Sequence, residues 1–187
     1  MGLSVPPRPH LLTKRDYYEL PELGPRYQLI DGDLCMAPAP DRAHQHFLGN
    51  LYFLLRKYLE VQPIGVLYEA PFDVELDEVN VYQPDLLLVR NERRSVLTQH
   101  GAEGAPDLVV EVLSPKTARF DLGAKRQAYF RFGTEELWIV DPAKRDAAVY
   151  RRSNPDTPTL VLRPGDRLTS PLLPGFEMAV EEIFAGF

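Results

Sequence analysis

The sequence predicts a single α/β domain, a central mixed β-sheet flanked by helices, and three observations carry that prediction. Segment 107–140 reads strand, helix, strand, with the apolar runs LVVEVL and ELWIV on either side of a helical stretch. Twenty-two residues lie between Leu113 and Glu136. That is ample for a right-handed crossover, so these two strands are expected to be parallel neighbours. In YQLIDGDLCM, two short runs flank Asp31-Gly32, a strong signal for a type I′ hairpin, which must be antiparallel. The length of 187 residues suits one domain, which at this size buries roughly 70% of its unfolded surface without metal or disulfide staples. We read residues 1–187 as that domain, with a core over about 27–142 and a β-rich extension over 143–187.

Each element has a local reason. Thr13 can cap a short helix through Tyr18, ended by Pro21 and Gly24. Asp41, after the APAP loop, is a fit N-cap for a long helix to about Glu60, whose inward face is His44, Leu48, Leu51, Leu55 and Tyr58 at helical spacing. Gly65 reopens extended structure with VLYEA and the alternating FDVEL, followed by YQPDLLLV as a buried strand with Pro84 near its start. Residues 91–106 read as a loop or short helical excursion. Ser114-Pro115 ends the next strand, and a helix is expected over Arg119–Phe132, stopped by Gly133. AAVYR and TLVL are expected as antiparallel edge strands, and PGFEMAVEEIF as a turn or short helix.

Composition excludes several classes. Hydrophobic residues at 44% and charged residues at 26% are near the globular average. The single cysteine, Cys35, allows neither an internal disulfide nor a thiolate zinc site. No signal-like or membrane-spanning apolar run is present, so a cytoplasmic protein without membrane association is expected. Neither common glycine-rich phosphate loop occurs, so no nucleotide cofactor is expected. The net charge of −6 argues against nonspecific nucleic-acid binding by the whole surface.

Three polar residues sit where packing alone does not put them. Asp85 opens the run Leu86–Val89, and Glu111 interrupts Val109–Leu113 on the same strand face as Val109 and Leu113. In the crossover helix, Lys125 shares a face with Leu122, Tyr129 and Phe132. Rise arithmetic puts Lys125 roughly 8 Å along its helix and Glu111 roughly 7 Å from its strand's end, so the two meet at a similar level. An unpaired buried carboxylate costs several kcal/mol in order of magnitude, and needs a cation, a proton or donors. Two convergent carboxylates make a hard-oxygen site of the kind that holds Mg²⁺, with Mn²⁺ as a substitute. A neighbouring lysine can orient water and stabilise a phosphate transition state. Together these parts suit phosphodiester hydrolysis. A purely structural Glu111–Lys125 ion pair is the alternative reading.

Pro84-Asp85 followed by Glu111 in a hydrophobic strand resembles the PD-(D/E)XK nuclease signature. Within that superfamily YQLIDGDL, AHQHFLGNL, QPDLLLV, PDLVVEVLSPKT, DLGAKRQAY and ELWIVDP resemble the Uma-type restriction endonuclease family. The resemblance implies a restriction-endonuclease-like fold, with Asp85 and Glu111 as Mg²⁺ ligands and DNA hydrolysis as the reaction. The superfamily lysine, expected two residues after the acid, is replaced here by Leu113, and Lys125 takes its role from the next helix. The family's frequent acid in the first hairpin is here Gln28.

The remaining assignments follow from these. The Val112 carbonyl is a third ligand for the ion. His44, Gln28 and Ser114 are supporting residues, with hydrogen-bonding or capping as the alternative for His44 and Ser114. Residues 115–131 carry Lys116, Arg119, Lys125, Arg126 and Arg131 against Asp121, a local positive field beside the acids. Lys116, Arg119 and Arg126 are therefore the expected nucleic-acid contacts, and a homodimer would double the patch. The competing function is a catalytically weak or inactive nuclease-fold module that binds nucleic acid or protein.

Overall fold

The computed structural model describes residues 11–21 and 26–187. Thr13 precedes the first helix, α1 (Lys14–Tyr18), and its backbone N–H donates to the Asp16 carboxylate at 2.8 Å. Gly24, expected to help end this helix, lies outside the described residues. The hairpin forms as expected from β1 (Arg26–Ile30) and β2 (Asp33–Ala37). Asp31 and Gly32 have φ of 50° and 79°, the left-handed pair a type I′ turn requires. The long helix α2 (Arg42–Val61) starts where Asp41 accepts from the His44 N–H at 2.8 Å. Its buried face holds His44, Phe47, Leu48, Leu51, Leu55 and Leu59.

The strands β3 (Gly65–Glu69) and β4 (Asp73–Asp77) follow. The expected single strand YQPDLLLV is instead two: β5 (Asn80–Tyr82) and β6 (Leu86–Arg90). Pro84 has no N–H to give to a ladder, and at Gln83–Asp85 the chain passes from one sheet to another. Between β6 and the next long strand, a 3-10 turn over Asn91–Val96 leads to β7 (Gly101–Glu103).

The crossover is β8 (Leu108–Val112), α3 (Ala118–Asp121), α4 (Ala124–Phe132) and β9 (Glu136–Asp141). As expected, β8 and β9 are parallel neighbours. The one continuous helix expected over Arg119–Phe132 is broken at Leu122-Gly123. Gly123 has φ −112° and ψ −108°, outside helical geometry, and a Cβ there would lie 2.7 Å from the Arg119 carbonyl oxygen. Leu122, expected on the inward face, is therefore exposed. The chain continues through β10 (Asp146–Arg151), β11 (Leu160–Leu162), β12 (Arg167–Thr169), β13 (Glu177–Ala179) and the last helix, α5 (Val180–Ile183). The tail thus contains a strand as well as the expected short helix.

The main sheet has the order β11-β10-β9-β8-β6-β3, and its β8–β9 pair is its parallel one. A second sheet runs β2-β1-β5-β4-β7. Alternation along β8 sends Leu108, Val110 and Val112 to one face, where they pack with α2 and the segment from Leu168 to Phe184. Val109 joins the other face, together with Tyr129 of α4 and with Val74, Leu76 and Tyr82 from the second sheet. Glu111 belongs to that second face by the same alternation.

Candidate metal centre and active site

A cavity of about 320 Å³ opens at the end of the main sheet where β8 finishes and β6 begins. The C-terminal ends of parallel strands are where open α/β sheets hold ligands. Asp85, Glu111, Asp121, Lys125 and His44 all line it, with Gln28, Ser114 and Lys116.

On its inner wall, Glu111 and Lys125 are buried, and the Lys125 Nζ stands 2.6 Å from Glu111 Oε1. The inward lysine and the matching height expected from the rise arithmetic are both found, although the helix break makes Lys125 the second residue of α4. A second carboxylate, absent from the expected set, completes the group: Asp121 Oδ1 lies 2.9 Å from the same ammonium. Asp121 is four residues before Lys125, the separation at which helical side chains meet, and that spacing was the available signal. Tyr129 donates its hydroxyl to Glu111 Oε1 at 3.0 Å.

These contacts set the ionisation. Burial lowers the lysine pKa, but Asp121 and Glu111 outweigh it, and the net shift is upward, so Lys125 is an ammonium. Burial raises the Glu111 carboxyl, the Asp121 and Asp85 charges raise it further, and Lys125 opposes them; the net shift is upward. Burial and the Glu111 charge hold Tyr129 as a neutral donor.

The outer wall is organised around Asp85. Its Oδ2 accepts the Val112 N–H at 2.7 Å and sits 3.0 Å from His44 Nε2. Burial lowers the imidazole pKa, but the Asp85 hydrogen bond, the charges of Asp85 and Asp41, and the Val112 backbone outweigh it, leaving it above 6.5. His44 Nδ1 is buried without a hydrogen-bond partner. Gln28 Oε1 accepts the Gln83 N–H at 2.9 Å, and the Gln83 side chain donates to Asp73 Oδ1 at 2.8 Å. These bonds hold the peptide that leads into Pro84 and Asp85.

Glu111 and Asp121 both contact the Lys125 ammonium and Asp85 lines the same cavity, a surplus of acids over that cation which a divalent ion would offset. Among the described residues, Asp85 Oδ1 and Glu111 Oε2 take no hydrogen bond, so each acid keeps one oxygen for a ligand. No group of three or more His, Cys, Asp or Glu among the described residues is gathered for a metal.

The other expected residues divide. The Ser114 and Thr117 hydroxyls are 2.9 Å apart, and Ser114 Oγ accepts the Thr117 N–H at 3.3 Å, as a turn cap. Lys116 is exposed at the cavity. Arg119 is exposed and lies over the Phe120 ring. Arg126 turns away from the cavity, donating to the Leu122 and Pro155 carbonyls and lying over Tyr150.

Comparison with known proteins agrees with this architecture. The Uma2 family, described as putative restriction endonucleases, matches residues 15–181. The crystal structure of a putative nuclease belonging to DUF820 from Anabaena variabilis shares the fold, with a TM-score of 0.78 at 20% identity over 93% of this chain and 98% of that one. No curated protein matches. Among the described residues, no helix is long and apolar enough to cross a membrane.

Proposed function

The chain belongs to the Uma2 family of putative restriction endonucleases, and from that premise we propose that it is a Mg²⁺-dependent endonuclease hydrolysing DNA phosphodiester bonds. The observation that carries this reading is the acidic group on the cavity wall, where Glu111 lies against a buried ammonium, Asp85 lines the same cavity, and each of the two acids keeps one oxygen free of hydrogen bonds. Asp85, Glu111 and the Val112 carbonyl would hold the ion, which would supply Lewis acidity to the reaction. Lys125 is fixed at the cavity, where its positive charge stabilises the charge that builds on a phosphate under attack and its N–H groups orient the incoming water. His44 holds Asp85 in place, and Gln28 does the same for the peptide before it. Lys116 meets the DNA backbone at the rim, and Arg119 contributes to the local field. A homodimer brings two such sites to the two strands.

The test is cleavage of plasmid and short duplex DNA with Mg²⁺ or Mn²⁺, by the wild type, Glu111→Gln and Lys125→Ala. Cleavage that needs the ion and falls by orders of magnitude in both variants supports the reading. Cleavage that is unchanged in both, or absent from the wild type on every substrate, overturns it.

A further inference from the structure

One buried acid is enough to neutralise Lys125, yet the structure commits two. Asp121 closes α3, Lys125 is the second residue of α4, and their 2.9 Å contact spans the break at Leu122-Gly123. The Asp121 and Lys125 side chains are only 4% and 3% exposed. Burying a second carboxylate is costly, and an apolar residue on so short a helix would pack without that cost. Packing alone therefore does not account for Asp121.

Charge gives the missing reason. A lone Glu111–Lys125 pair is neutral, so an incoming cation must compete with the ammonium for the carboxylate. With Asp121 on the same ammonium, the counter-charge to Lys125 no longer depends on Glu111, and the group is negative whenever Glu111 is ionised. When Glu111 turns its charge to a cation, Lys125 still has a fixed counter-charge at the cavity wall. We propose that Asp121 is a positioning residue: it holds the Lys125 ammonium between two carboxylates, so that Glu111 stays available to the ion and Lys125 stays in place. The functional half of this assignment rests on the metal-dependent reading above; the geometric half is independent of it.

Two measurements separate the halves. The chain has five lysines, and Lys125 is the buried one. A slowly exchanging ¹⁵N ammonium signal therefore belongs to it. Calorimetric titration with Mn²⁺ alone reads the cation site. Asp121→Asn is expected to weaken Mn²⁺ binding at least about tenfold, on the scale of one unit charge removed a few ångströms away, and to abolish or broaden the Lys125 signal. Asp121→Glu, which keeps the charge, is expected to restore most of both. Glu111→Gln is expected to lose Mn²⁺ but keep the ammonium signal, since Asp121 still holds it. Wild-type Mn²⁺ affinity in a folded Asp121→Asn overturns the functional half, and an unchanged ammonium signal overturns the geometric half. A wild type that binds no Mn²⁺ overturns the metal reading, and the signal in Asp121→Asn then decides the geometric half alone. Should Asp121→Asn not fold, Asp121→Ser, which leaves room for a water beside the ammonium, is read by the same two measurements.

Discussion

Replacing Lys125 by methionine keeps a long apolar stem in place and deletes one charge. Glu111 and Asp121, whose side chains are each 4% exposed, then face each other with Tyr129 as the remaining side-chain donor to Glu111. Removing one partner of a buried ion group costs about 3–5 kcal/mol. In a domain of this size that lowers the melting temperature by about 6–20 °C. The penalty is pH-dependent, and its sign is determined by the carboxyls. With the ammonium gone, the folded-state pKa of Glu111 rises further above its ordinary 4.5. A carboxyl with a raised folded pKa contributes stability that is fully present below its unfolded value and is lost as pH rises through the folded one. Glu111 already ionises only near about 8 in the wild type, so the gap between wild type and Lys125→Met is level from acid to neutral pH on this group's account and widens as pH rises from about 7 through 9. Combining Lys125→Met with Glu111→Gln and Asp121→Asn removes all three charges and should return stability to within about 1 kcal/mol of wild type. Urea unfolding of the three proteins across that pH range is the assay. A Lys125→Met protein within about 1 kcal/mol of wild type at neutral pH, or a gap that stays constant as pH rises through about 8, would refute the reasoning.

Three further outcomes follow from the site and its frame. The His44 imidazole should titrate above 6.5 by NMR, so its contribution to stability is full below that value and fades as pH rises through the folded one; Asp85→Asn should lower the midpoint, and a midpoint that does not move contradicts the pairing. Gly123→Ala should destabilise the protein by more than about 1 kcal/mol, because the new Cβ meets the Arg119 carbonyl at 2.7 Å; unaltered urea unfolding would show that the α3–α4 joint yields freely. Lys116→Ala should weaken DNA binding and lower the salt dependence by about one counterion, whereas Arg126→Ala, whose guanidinium is held by Pro155 and Tyr150, should leave both unchanged. Salt-titrated binding to a short duplex distinguishes the two.

What could be read from the chain alone was what is decided within a few residues. Period-two alternation sent Glu111 inward with Val109, helical spacing sent Lys125 toward it, and the Asp31-Gly32 pair made its hairpin. Long-range pairings were a different matter. Nothing local says that β5 and β6 part at Pro84 to join different sheets, or that β4 and β7 pair in parallel. The helix break came from one glycine, and periodicity carried across it, which put Leu122 on the wrong side. The His44–Asp85 contact joins residues 41 apart in the chain, so only His44's inward position was legible. Asp121 was within reach at four residues from Lys125, but as one acid in a basic stretch it counted as charge and not as a partner.

The segment that covers α2 has a consequence for the order in which the molecule is completed. Val180, Ile183 and Phe184 pack in the same core as Phe47, Leu48 and Leu51, and Phe47 and Phe184 meet ring to ring at 5.2 Å. Asn50 donates to the Ile183 carbonyl at 3.0 Å, and His46 reaches the Ala185 carbonyl at 2.7 Å. A chain emerging from the ribosome leaves this side of α2 bare until residues 176–184 arrive. Because His44 rides on the first turn of that helix, a chain clipped ahead of α5 would leave the helix that carries it without the cover of Val180, Ile183 and Phe184, with Phe47 stripped of its Phe184 partner.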